Sequence, residues 1–289
     1  MQYSKILLLS ALLLLPLWAA SQDFRLGINA GVTHYQGDLS PGGKDLSNVG
    51  IGRTNVALGF FGRFNHHPFF NTRIGFQYGK VEAYDADSEI QSHVSRNLSF
   101  ESNIFELSLV EEFNILGFEP GTRKIFSPYL FAGIGVFRFN PKTIYQGQEI
   151  ELQPLGTEGQ GIATYPEAYS LTQIAVPLGG GLKFAVADNL TLALEIGGRK
   201  LFTDYLDDVS NDRYASFQEL LDNNGELAAL LGNRQGELLG GEPIQNPIGP
   251  RGNPEFKDWY FFSTISLAFS LNGNGGGLFG GNQMGCPTF

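Results

Sequence analysis

Cysteine is almost missing from this chain. Cys286, three residues from the end, is its single thiol, so no disulfide can form within the chain and no paired-cysteine zinc site exists. Histidine is scarce too. His34, His66, His67 and His93 include no i, i+4 pair with a third ligand, so a metal centre is not expected and no cofactor is assigned. Basic residues are the minority, 19 against 29 acidic for a net charge of −10, which argues against a nucleic-acid partner. Beyond the first 17 residues no apolar run approaches the roughly 18 residues of a spanning helix. The glycine-rich turn "GTEGQG", residues 156–161, follows no buried parallel strand and makes a poor phosphate cradle. His34 ends a strand, yet no nucleophile, base and acid stand together in the sequence, so an enzyme is not expected.

What the chain does have is glycine and aromatic rings: Gly 38, Phe 24 and Tyr 11, with charged residues at only 17%. Its first residues read as a secretory signal, residues 1–21: Lys5, an apolar run Ile6 to Leu17 interrupted by Ser10 and Pro16, then small residues Ala19, Ala20 and Ser21. The rest divides into a barrel, 22–271, and a tail, 272–289.

The barrel follows from a repeated period of two. In "DWYFFSTISLAFSL", residues 258–271, one face carries Trp259, Phe261, Ser263, Ile265, Leu267, Phe269 and Leu271, and the other Tyr260, Phe262, Thr264, Ser266, Ala268 and Ser270. That alternation describes a strand with one face in lipid and one in a packed interior. "NLTLALEIGGR", "NIFELSLVEEFN", "VALGFFGRFN" and "TRIGFQYG" repeat it, and with 24–35, 128–140 and 171–186 they make about eight antiparallel strands. The segment 128–140 is apolar on both faces, which leaves its phase open. Connections alternate long and short: 36–55, 81–101, 141–170 and 203–257 are long and polar, whereas 66–70, 116–124 and 187–189 are short. Outer-membrane barrels have long outer loops and tight periplasmic turns, and an even strand count puts both ends in the periplasm. The fold class is therefore all-β: a small transmembrane outer-membrane barrel.

The inward faces carry Arg63, Arg73 and Lys183 against Glu106, Glu112 and Glu195. A barrel this size has room only for side chains, and buried charges of opposite sign must pair. A self-filled, non-conducting lumen is expected; the alternative is scattered surface charge on a soluble sandwich. In the loop 203–257, Ser216 with Glu219 forms a capping-box signature ahead of an apolar helical run that Gly225 divides. The turn-rich segment after it is expected to wrap over the barrel mouth or a partner. Asp85/Asp87 and Asp204/Asp207/Asp208 read as solvated loop charge, with a Ca²⁺ site as the alternative.

The tail poses its own question. Gly273, Gly275, Gly276, Gly277, Gly280 and Gly281 make a flexible tether, whose reach grows as about 5–6 Å times the square root of its length. A lone cysteine in an oxidising compartment suggests pairing with another chain, an idle thiol being the alternative. Leu278, Phe279, Met284 and Pro287 are the candidate docking residues around it.

Several blocks in order carry a family resemblance: "GVTHYQGDL", "FGRFNHHPFFNTRIGF", "RNLSFESNIFELSLVEEFN", "PYLFAGIGVFRFNP", "LQPLGTEGQG", "DYLDDVS" and "RGNPEFKDWYFF". Together they resemble the PorG-like outer-membrane barrels of the type IX secretion and gliding machinery of Bacteroidota. The resemblance implies a barrel that docks a periplasmic ring built from a PorK/GldK-like lipoprotein and its PorN/GldN-like partner. It further implies an intermolecular disulfide from Cys286 to the ring lipoprotein. Outer-membrane lipids would be the other partner, with no small-molecule substrate. The alternative reading is a surface adhesin acting through loop 203–257.

Overall fold

The computed structural model describes residues 23–41, 53–241, 243–245 and 247–271. The leader 1–21 and the tail with Leu278, Phe279, Met284, Cys286 and Pro287 lie outside the described residues. Eight long strands form the wall: β1 Asp23–Gln36, β2 Asn55–His67, β3 Phe70–Tyr84, β4 Ser99–Asn114, β5 Phe126–Arg138, β8 Thr172–Ala187, β9 Leu190–Leu201 and β10 Trp259–Ser270. A small hairpin, β6 Lys142–Tyr145 and β7 Gln148–Glu151, stands outside that set. Each wall strand pairs antiparallel with its neighbour, and β10 pairs back onto β1 from Arg25↔Ser270 to Gln36↔Trp259, closing the cylinder.

The alternation places the side chains as lipid demands. Outward rows include Ile28, Leu107 and Ile265, with Phe60 at 61% and Ile196 at 66% exposure. An apolar belt of this extent, running around all eight strands, is stable only against hydrocarbon. No described helix is long and apolar enough to cross a membrane; the chain crosses with strands. The segment of open phase resolves with Tyr129, Phe131 and Phe137 inward and Leu130, Ile134 and Val136 outward. Its alternation is lost because the interior it faces is aromatic.

The two ends differ. At one, β2 joins β3 through Pro68–Phe69 and β8 joins β9 through Asp188–Asn189, each next to a register shift. At the other, long connections fold over the mouth. β6 adds to the β4 edge at Glu101↔Lys142 and turns into β7 through Gln146 and Gly147, both at positive φ. Four short helices follow the chain: α1 Gln91–Arg96, α2 Phe217–Asn223, α3 Glu226–Gly232 and α4 Gln235–Leu238. The single loop helix expected is thus joined by others. Ser216 caps α2, its side chain accepting from the Glu219 amide at 3.4 Å, and Gly225, at φ 94°, separates α2 from α3. The loops cover an aromatic core in the upper barrel that includes Tyr35, Phe100, Phe137, Phe139, Tyr260 and Phe262.

Candidate functional site

Two polar assemblies occupy the interior. The first fills the lower lumen and contains all six charges singled out from the sequence. Glu112 is fully buried and takes three cations: Arg63 Nε at 2.9 Å, Arg73 Nε at 3.1 Å and Lys183 Nζ at 2.6 Å. Lys183 also donates to Asn114 Oδ1 at 2.7 Å. Arg73 reaches Glu195 through Nη1 at 2.8 Å, and the Tyr129 hydroxyl donates to the same carboxylate at 2.6 Å. The strand register explains the stoichiometry. Arg25, Arg63 and Arg73 lie side by side on β1, β2 and β3, and like charges directly opposite repel. The Glu112 carboxylate separates two of them; Arg25 turns away to Asp23 at 2.5 Å and Thr191 Oγ1 at 2.9 Å.

Glu106 pairs with none of the other five. Its partner is Arg199, Nε to Oε2 at 2.9 Å, with the Tyr260 hydroxyl donating at 2.7 Å and Arg199 Nη2 donating to Gln77 at 2.6 Å. Arg199, like Arg25, is an inward cation that the six charges taken from the sequence leave out. The alternation gives it, since Glu195, Gly197 and Arg199 share one face. Apart from Arg25, which pairs with Asp23 at the strand end, the lumen core therefore carries four cations (Arg63, Arg73, Lys183, Arg199) and three anions (Glu106, Glu112, Glu195). Between the two nodes lies a cavity of about 10 Å³ lined by Asn29, Phe61, Arg73, Gln77, Phe131 and Arg199, enough for water and no more.

The second assembly clamps the loops. Asp85, Asp204, Asp207 and Asp208 are buried, with Asp38, Glu158 and Asp258 beside them. This corrects the expectation of solvated charge for that set; Asp87 alone stays exposed, paired with Arg53 at 2.7 Å. Backbone amides and hydroxyls take the place of water. Asp207 accepts from Tyr35 OH at 2.5 Å and Val209 N at 2.9 Å; Asp258 accepts from Leu206 N at 3.0 Å; Glu158 accepts from Ser210 N at 2.9 Å. Two buried guanidinium groups stitch the loops together. Arg96 grips Asp85 with two bonds, 2.6 and 2.8 Å, and donates to the carbonyls of Asp38 and Arg251. Arg251 pairs with Glu158 and donates to Thr157 Oγ1 at 3.0 Å, Asp208 O at 3.0 Å and Gly232 O at 3.2 Å.

Glu158 sits in the "GTEGQG" turn, whose role is a tight inward bend. Gly159, at φ 86°, lies under the Tyr165 ring, where a Cβ would come within 2.4 Å of it. Burial pushes the Asp208 carboxyl up to about 6, against the Arg251 charge and the hydroxyls of Thr157 and Tyr169 that favour its ionised form. Among the described residues no group of three His, Cys, Asp or Glu could hold a metal ion.

The DUF6089 family model, a domain of unknown function, matches residues 4–227. No curated protein matches the chain. Among solved structures, Neisserial surface protein A is similar at 9% identity and TM-score 0.42, covering 86% of this chain and 99% of that one. Ail, the attachment invasion locus protein of Yersinia pestis, is similar at 10% and 0.38 over 86% and 99%, in a complex with the heparin analogue sucrose octasulfate. The outer membrane enzyme PagL is similar at 13% and 0.31 over the same shares. These scores carry no argument of their own; the fold rests on the closed ladder and its apolar belt.

Proposed function

This chain belongs to the DUF6089 family, and from that premise and the geometry above we propose that it is a non-enzymatic outer-membrane anchor of the type IX secretion machinery. In this reading the short-turn end faces the periplasm and docks the ring of PorK/GldK-like lipoprotein and PorN/GldN-like partner. Cys286 forms the intermolecular disulfide, with Leu278, Phe279, Met284 and Pro287 seating the tail. The observation that supports it most is the sealed interior. A cylinder filled by ion pairs below and covered by clamped loops above offers surfaces and membrane attachment, not a path for solute. Non-reducing electrophoresis of native membranes tests the hook: wild type gives a mixed-disulfide band that Cys286→Ser removes, and identical patterns refute it.

One observation favours an adhesin. The long-loop end exposes Leu238, Leu239, Ile248 and Phe256, all more than half exposed. Leu239→Ser with Ile248→Ser abolishes surface binding under that reading and leaves ring assembly intact under ours. Excising the loop is a poorer test, because it removes Arg251 from the clamp.

A further inference from the structure

Among the described residues, the outward rows carry charged groups toward the long-loop end, such as Lys80 and Glu101, and a smaller polar island toward the short turns. On β4 the outward row runs Phe105, Leu107, Leu109, Glu111, Phe113, so Glu111 is an exposed carboxylate with apolar neighbours on both sides. A charge on the lipid face of a barrel is costly, more so with depth. Its Oε1 accepts from Thr72 Oγ1 at 2.5 Å, on β3, directly across the ladder. His66 Nε2 lies 2.7 Å from the same hydroxyl. With the Thr72 proton given to Glu111, that ring nitrogen must be the donor. His66 is the extra residue of the bulge between Asn65 and His67, which turns its ring onto the strand next door.

A groove adjoins the island. Across β1, β2 and β3 the outward row reads Leu26, Gly62, Ile74, and the missing side chain at Gly62 leaves a dent beside Phe60, with the Phe24 ring, packed on Phe64, forming its other wall. The dent widens into an apolar groove of about 710 Å³, within the range of sites that hold an extended small ligand. Phe64 pairs with Thr72 and Thr72 with Glu111, so the island lies one row below the groove, toward the short turns. Below it Phe70 and Phe113 meet at 5.2 Å, a pair of rings near the strand ends, where headgroups begin.

We propose that this site binds one aminophospholipid of the leaflet at the short-turn end, with an acyl chain along the Gly62 groove and the headgroup ammonium on Glu111. The imidazole N–H chain through Thr72 keeps the carboxylate oriented, and the ammonium supplies the opposite charge directly at Glu111. Hydrocarbon alone would fill the groove but leave the carboxylate without a counter-charge, and an anionic lipid would repel it.

Native mass spectrometry of the whole barrel, released from detergent with equal amounts of phosphatidylethanolamine, phosphatidylglycerol and phosphatidylcholine of identical chains, tests this. Wild type is expected to retain phosphatidylethanolamine over the other two by about tenfold, the equivalent of about 1.4 kcal/mol. Glu111→Gln is expected to bring that preference within about twofold; should it fail to fold, Glu111→Asp, which withdraws the charge by one methylene, reads the same ratio. Gly62→Leu is expected to lower retention of all three while keeping their order. Equal retention by wild type, or a preference that survives Glu111→Gln, overturns the proposal.

Discussion

Glu112→Gln is the most direct test of the sealed lumen. The substitution keeps the shape of the side chain and removes one charge, which leaves Arg63, Arg73, Lys183 and Arg199 against Glu106 and Glu195, four cations facing two anions. Arg63 then has no carboxylate, and a guanidinium cannot shed its proton. Breaking a buried ion pair from one side costs about 3–5 kcal/mol, a large share of a domain stability of about 5–15 kcal/mol. Urea unfolding in lipid vesicles reads the difference through Trp259, the sole tryptophan of residues 22–289. Adding Lys183→Met removes one of the stranded cations, so the double variant is expected to recover about 0.5–3 kcal/mol relative to the sum of the singles. A loss below about 1 kcal/mol for Glu112→Gln, or simple additivity with Lys183→Met, would show that water screens these charges and that the lumen is wet.

Further outcomes follow from the same contacts. Arg251→Met strands Glu158 and Asp208 and is expected to destabilise the loop clamp by about 3–5 kcal/mol. Limited proteolysis then cuts within 203–257 while the strands stay protected; an unchanged digest refutes the clamp. Asp208 keeps its proton to about pH 6 when folded, above the ordinary 3.8. The folded loops therefore bind the proton more tightly, and the stability this gives is full below about pH 4 and lost as pH rises through 6. That loss is about 3 kcal/mol at most, at about 1.4 kcal/mol per pH unit. Hydrogen exchange in 203–257, taken as wild type minus Asp208→Asn, is expected to show this loss, and a flat difference from pH 4 to 7 contradicts it. In planar bilayers the wild-type barrel is expected to give no step conductance, and regular openings would refute the sealed interior.

Much of the wall was legible because lipid imposes a rule on every second residue. Ile196 and Glu195 are adjacent in sequence and could not be more differently placed, and that contrast is written in the pattern itself. The helix break at Gly225 was legible for a similarly local reason, a residue free to take positive φ beside a Ser216 cap. Where the interior turned aromatic, at Tyr129 to Phe139, alternation disappeared and only the ladder with β4 fixed the phase. The burial of Asp207 and Asp208 had no local signal. It depends on Arg251, some forty residues on, and on the hydroxyls of Tyr35, Thr157 and Tyr169, which reach these carboxylates only in the folded cap. Arg199 was recoverable by extending the β9 alternation past its two glycines.

The seam between β1 and β10 has a bearing on biogenesis. Residues 23–36 find their second partner only at 259–270, so no nascent portion of this polypeptide can complete its own perimeter. Until the last strand has been exported, the first keeps a bare edge, and sequence separation this large makes closure a late, slow event. A truncation that trims the final strand therefore forfeits the whole ring instead of one stave.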